Sequence, residues 1–301
     1  VRYRPFGASG KAVSAVSLLL RDAPNMGAPG AWRTLIISAM ENGVNSFEAT
    51  AGSDVLAIGL GEALSAVERR LIFLSWRLRG NPAGAITARD IADNVRAALQ
   101  RTRAGYLDLL MMDETAAETM TPDALAYLAD LKNGGVCLQI GIAGDGPVID
   151  RCIANDTFDV LATTFSLVSE WQTRRRIRDA SAANMTLIGC DPFPTGLHGA
   201  PNPRLETERP MRRGLLGGRR TEQLAASNIY GFLHDTPGWS YEELCLAFAL
   251  TEPAFASIQL EAGRADMIER MAAVTDKDLP TGVAAQIEMA RFGQVAAQRR
   301  A

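Results

Sequence analysis

The stretch TARDIADNVRAALQRTRAGYLDLLMMD, residues 87–113, holds one full repeat of the pattern that decides the fold. Thr87 is placed as an N-cap, where its hydroxyl can accept an orphan N–H of the first turn, and residues 87–102 keep a helical period. Residues 107–113 then form a short apolar run, the mark of a strand buried on both faces. Strands of that kind, each joined to the next through a helix, build a parallel sheet.

Reading outward from this repeat, further strands are expected at residues 14–20, 45–50, 71–76, 137–143, 158–164, 186–192 and 256–262, which makes eight in all. AWRTLIISAMENG, TPDALAYLADLKNGG and SEWQTRRRIRDASAAN are helical segments between them, and two of these close on glycine in the usual C-terminal position. Eight such units favour closure over an open sheet. The expected fold is therefore an α/β (β/α)8 barrel over residues 1–301, with an N-terminal β-hairpin at the Gly-Ala-Ser-Gly turn. Helices at residues 238–253 and 286–300 come late, the last outside the repeat. The segment 193–220, rich in Gly, Pro and Arg, is too long for a simple connection and is expected over the barrel mouth.

Composition narrows the function classes. The chain has 301 residues, 47% of them hydrophobic, and a net charge of -3, so nothing in its overall electrostatics calls for nucleic acid or an anionic membrane as partner. No apolar run reaches the length that spans a bilayer. The four cysteines, Cys137, Cys152, Cys190 and Cys245, show no metal-ligand spacing and read as reduced thiols of a cytoplasmic protein. With three lysines and two histidines, any mechanism that needs Lys or His has five positions to draw on.

The order and spacing of several segments resemble the aldo-keto reductase superfamily. YRPFGASGKAVSAVSL is similar to its opening hairpin and first strand, MENGVNSFEATAGSD with IGLGEAL to its second strand and following helix, and GYLDLLMMD to its fourth strand. LADLKNGGVCLQIGIAG resembles the approach to strand five, and GWSYEELCLAFAL a late helix, so that the likeness runs over residues 3–273. It implies reduction of a carbonyl by hydride from NADP, with an Asp, Tyr, Lys and His tetrad. The tyrosine protonates the nascent alkoxide, the lysine lowers its pKa, the aspartate holds the lysine and the histidine orients the carbonyl.

All four tetrad positions differ. The aspartate becomes Glu48, the tyrosine falls at Ser53, the lysine at Trp76 with Arg77 beside it, and the histidine at Asp113. A serine hydroxyl is a far weaker acid than a phenol. The resemblance places Ala143, Gly144, Ala162 and Cys190 where the family carries its nicotinamide contacts. Of the cofactor-phosphate segment it leaves Gly263 and Arg264, with Arg270 at the adenine-gripping position.

Glu48, Asp113 and Asp191 end strands on the face where barrels place their sites, either as an acid/base or cation-binding cluster or as carboxylates tied to Arg77. Cys190 is a candidate nucleophile or a packing thiol. His198 and, in RPMRRGLLGGRR, Arg212 and Arg213 are candidates for an anionic small-molecule ligand. Gly59 and Gly61 in IGLGEAL lie in a packing segment and not in a phosphate loop. The expected function is that of a pseudoenzyme, or of a barrel turned to chemistry without hydride. The alternatives are an NADP-dependent oxidoreductase with a different proton donor and a carboxylate-based lyase or isomerase.

Overall fold

In a computed structural model describing residues 1–194, 230–261 and 263–298, eight parallel strands close into a barrel. They are β3 (Val16–Leu20), β4 (Ser46–Thr50), β5 (Phe73–Leu78), β6 (Leu107–Asp113), β7 (Cys137–Ala143), β8 (Val160–Thr164), β9 (Thr186–Cys190) and β10 (Phe255–Glu261). Each pairs with its neighbour in sequence, and β10 closes the ring on β3 through Ile258 opposite Val16. The hairpin β1 (Tyr3–Pro5) and β2 (Ala12–Ser14) precedes the barrel.

The helices are α1 (Pro29–Glu41), α2 (Asp54–Leu64), α3 (Ala88–Thr102), α4 (Glu114–Thr119), α5 (Pro122–Asn133), α6 (Pro147–Ala154), α7 (Trp171–Ala182), α8 (Phe232–Asp235), α9 (Tyr241–Leu250), α10 (Ala265–Val274) and α11 (Val283–Gln298). Thr87 caps α3 in a reciprocal capping box with Asp90. The left-handed glycines after α1 and α5 are Gly43 and Gly135, with φ of 81° and 68°. No helix among the described residues is long and apolar enough to cross a membrane.

Alternation along each strand divides the apolar residues between two layers. Phe47, Leu74, Leu110, Ile142 and Leu161 face the helices, while Phe73, Leu109, Met111, Val160, Ala162 and Ile188 fill the barrel. The hairpin plugs the N-terminal end: Phe6 and Val13 join the inner layer, and the Phe6 ring lies 4.2 Å from Phe73. Below that plug, Asp108 is 1% exposed and is held by Lys11, by Arg69 at 2.8 Å and by the Leu74 N–H at 2.9 Å.

Gly59 and Gly61 are packing glycines. A Cβ on Gly59 would stand 2.4 Å from the Pro29 carbonyl oxygen, and one on Gly61 would stand 2.7 Å from that of Arg101. They let α2 lie directly against α1 and the end of α3.

Six strands depart from their expected bounds by one or two residues, β9 ending at Cys190 short of Asp191, and β5 is displaced by two at both ends. The run LIFLSW suggests an end at Trp76, yet β5 continues to Leu78, because Arg77 is received inside the barrel by a carboxylate. The alternation then turns Trp76 outward, 3% exposed among the helix-facing residues, and turns Arg77 inward. Trp76 is therefore a core residue, and Arg77 is what this strand presents at the mouth.

Candidate functional site

The C-terminal strand ends bring together side chains from four strands. Glu48 on β4 is 2% exposed, with Oε1 2.5 Å from Arg77 Nε. Its Oε2 accepts from Ser75 Oγ at 3.2 Å and from Gln259 Nε2 at 3.3 Å, across the barrel on β10. The Cys190 thiol, on β9, lies 3.6 Å from Gln259 Oε1.

The electrostatics follow from burial and charge. Burial acts to lower the Arg77 pKa, but Glu48 outweighs it, with help from Cys190 and Asp113, and the guanidinium is pushed up and stays charged. Burial pushes the Cys190 thiol up to about 12; Arg77 opposes this, and Glu48, Asp191 and Asp145 add to it. Such a thiol is a poor nucleophile at neutral pH. The ion pair is close but not well aligned: Glu48 Oε1 and Arg77 Nε make no directed hydrogen bond, and Arg77 Nη2 is buried without a partner.

Other candidate positions serve as helix caps. Ser53 caps α2, its Oγ accepting from the Leu56 N–H at 3.2 Å. Asp113 caps α4, with Oδ1 accepting from the Ala116 N–H at 2.7 Å and from the Gly80 N–H at 2.9 Å. Asp191 is exposed at the end of β9 in a left-handed conformation, φ 50°. Among the described residues no three His, Cys, Asp or Glu side chains gather as a metal would require. His198, Arg212 and Arg213, and all but the first two residues of the 193–220 loop, lie outside the described residues.

The sequence profile of the aldo/keto reductase family matches residues 39–291. This chain belongs to that family. Among solved structures it is similar to an aldo-keto reductase from Bacillus halodurans in its holo form, with a TM-score of 0.72 and 18% identity over 96% of each chain. The apo form of that enzyme gives 0.71 and 18% identity, over 96% of this chain and 95% of the other. No curated protein sequence matches it.

As an aldo/keto reductase family barrel, the chain invites a test of how its residues suit a nicotinamide cofactor. Arg264 is the N-cap of α10, but its guanidinium is spent on Asp266, at 2.9 and 3.0 Å, and that aspartate puts a negative charge in the helix's first turn. Gly263 and Arg270 are exposed beside it. At the positions the resemblance assigns to the nicotinamide ring, Ala143, Gly144 and Ala162 carry no side-chain hydrogen-bond donor and Cys190 carries no ring. The described residues do not fit the cofactor.

Asp145 is a mouth residue that the sequence reading missed. It accepts from Thr163 Oγ1 and Thr164 Oγ1, both at 2.6 Å, and from the Thr164 N–H at 3.1 Å, tying the end of β7 to that of β8. The signal available was an aspartate just beyond an apolar strand, which resembles any turn residue until its threonine partners are brought alongside.

Proposed function

We propose that this aldo/keto reductase barrel binds a small molecule at its mouth and does not reduce carbonyls by hydride transfer. It acts either as a binding protein for a ligand or partner, or in a reaction that needs no hydride. One observation supports the reading: Glu48 and Arg77 form a buried ion pair at strand ends to which the family resemblance assigns the proton relay. An arginine keeps its proton at any physiological pH and is a poor acid. Ser53 and Asp113 are engaged by backbone N–H groups, so neither is free to take the relay's place.

Titration of the purified chain with NADPH, followed by cofactor fluorescence and by turnover of an aldehyde panel, tests this. The expected result is no saturable binding at micromolar cofactor and no turnover above background. Saturable binding with turnover, surviving removal of contaminating activities, would replace it with the second reading, an NADP-dependent oxidoreductase with a different proton donor. Family membership favours that alternative, because relatives such as the Bacillus halodurans protein are called aldo-keto reductases.

A further inference from the structure

The barrel has a second concave face, at the hairpin end and opposite the mouth. A cleft of about 640 Å³ opens between the hairpin, the end of α1 and the turns that lead into β4 and β5. That volume lies within the range of ~300–1,000 Å³ usual for small-molecule sites. Its walls are mostly apolar, with Met40, Val44, Val67 and Leu71 among them, and Leu71 and Tyr3 stay 58% and 51% exposed there. Large apolar side chains left open inside a concavity mark a binding surface.

The polar groups of the cleft are not equivalent. Tyr3 Oη donates to the Gly43 carbonyl at 2.7 Å, and Asn45 Nδ2 donates to those of Ala12 and Leu71 at 2.9 and 3.3 Å. Lys11 Nζ donates to Asp108, to the Tyr106 hydroxyl and to the Ile72 carbonyl. These contacts pin the hairpin to the barrel, so the cleft is preformed. Arg70 differs. Its Nε donates to Glu68 Oε2 at 2.6 Å, and no described residue accepts from Nη1 or Nη2.

Charge then selects the ligand. Of the described residues that line the cleft, Lys11 and Arg70 carry charge and none is acidic. Lys11, Arg69 and Arg70 together face two carboxylates, Asp108 and Glu68, which leaves a positive excess at this wall. A cation would oppose that excess, and a neutral apolar molecule would leave it unanswered.

We infer that this cleft is a second ligand site, taking a small amphipathic carboxylate with its chain on Met40, Val67 and Leu71 and its head toward the Arg70 guanidinium. The site is separate from the mouth and does not depend on whether the barrel reduces carbonyls. Apolar contact supplies most of the affinity, and the exposed guanidinium adds a modest preference for a carboxylate.

Calorimetric titration of the full chain with octanoate, 1-octanol and octylammonium tests this. Octanoate is expected to bind about tenfold tighter than octylammonium, with octanol between them. Arg70→Gln, at an exposed position, is expected to lower octanoate affinity about threefold and to leave octanol unchanged. Ala12→Trp, at an exposed position of β2, fills the cleft and is expected to remove octanoate binding. Leu71→Ser keeps the test decisive if the indole unsettles the hairpin, because it is expected to weaken octanoate and octanol together by about fivefold. No octanoate binding at millimolar concentration, equal binding of octylammonium, wild-type octanoate affinity in Arg70→Gln, or octanoate affinity unchanged in both Ala12→Trp and Leu71→Ser would each overturn the inference.

Discussion

Glu48 and Arg77 reach each other across neighbouring strands without being register partners. Glu48 stands opposite Ser75 and Arg77 opposite Thr50, yet Oε1 and Nε meet at 2.5 Å inside the barrel. The arginine leans back along its strand to meet the Glu48 carboxylate, sealed into the layer below it. Arg77→Met leaves Glu48 buried with only Ser75 and Gln259 as donors, and breaking a buried pair in this way costs about 3–5 kcal/mol. Urea unfolding is expected to show that loss for Arg77→Met. Most of it returns in the double variant Glu48→Gln with Arg77→Met, because no buried charge is then left alone. A single variant within about 0.5 kcal/mol of wild type, the range of ordinary surface changes, would mean that solvent reaches the pair freely.

The contact between α1 and α2 depends on one missing methyl group. Gly59→Ala places a Cβ 2.4 Å from the Pro29 carbonyl oxygen and 2.6 Å from Trp32 Cβ, neither of which is the far end of a flexible side chain. The helices must separate, at about 1–3 kcal/mol. Gly30→Ala is the control, since a Cβ there meets nothing and alanine is the better helix former. Thermal melts are expected to move in opposite directions for the two variants. A Gly59→Ala protein as stable as wild type would mean that the helices slide apart at no cost.

The barrel was legible because its strands are short apolar runs set at regular spacing, and two of them, β6 and β7, have the expected bounds at both ends. The mouth was less legible. A charge inside an apolar run ordinarily marks a strand end, so RLRG after Trp76 suggested a boundary; only a partner on another strand makes an inward arginine tolerable, and that partner lies 29 positions away in sequence, at Glu48. Asp145 was hidden for a similar reason, because its threonines arrive from β8. Ser53 and Asp113 sit where the family resemblance puts them, but their role as caps depends on N–H groups that only the folded backbone aligns.

The entry to α9 is expected to make stability depend on acid. Burial would raise the Glu243 carboxyl, but the Ser240 N–H at 2.7 Å and Lys277 at 3.1 Å outweigh it and hold it below its ordinary 4.5. A depressed carboxyl contributes stability above its unfolded pKa and loses it as pH falls through the folded value. Glu243→Gln is therefore expected to cost about 1 kcal/mol at pH 7, the size of a lost cap, with the difference closing in acid once pH has fallen through the folded value. Chemical denaturation at both pH values checks this. A gap that persists unchanged in acid would point to packing and not to charge.

The thiols give the last test, because one cause acts on all four. Burial leads in each case, raising Cys137 to about 11, Cys190 and Cys245 to about 12, and Cys152 by a smaller amount. The thiolate is the reactive species, so at pH 8 a thiol near 11 is ionised to only about one part in a thousand. Folded protein mixed with a disulfide reagent at that pH is expected to label slowly, with Cys152 leading because its shift is smallest. In denaturant, all four should react at once. Cys190 is the informative member, since Arg77 draws its pKa down while burial and three carboxylates push it up. A rapid single-equivalent burst from native protein that disappears in Cys190→Ala would show the arginine winning. It would also restore Cys190 as a nucleophile, which the balance of charges around it now argues against.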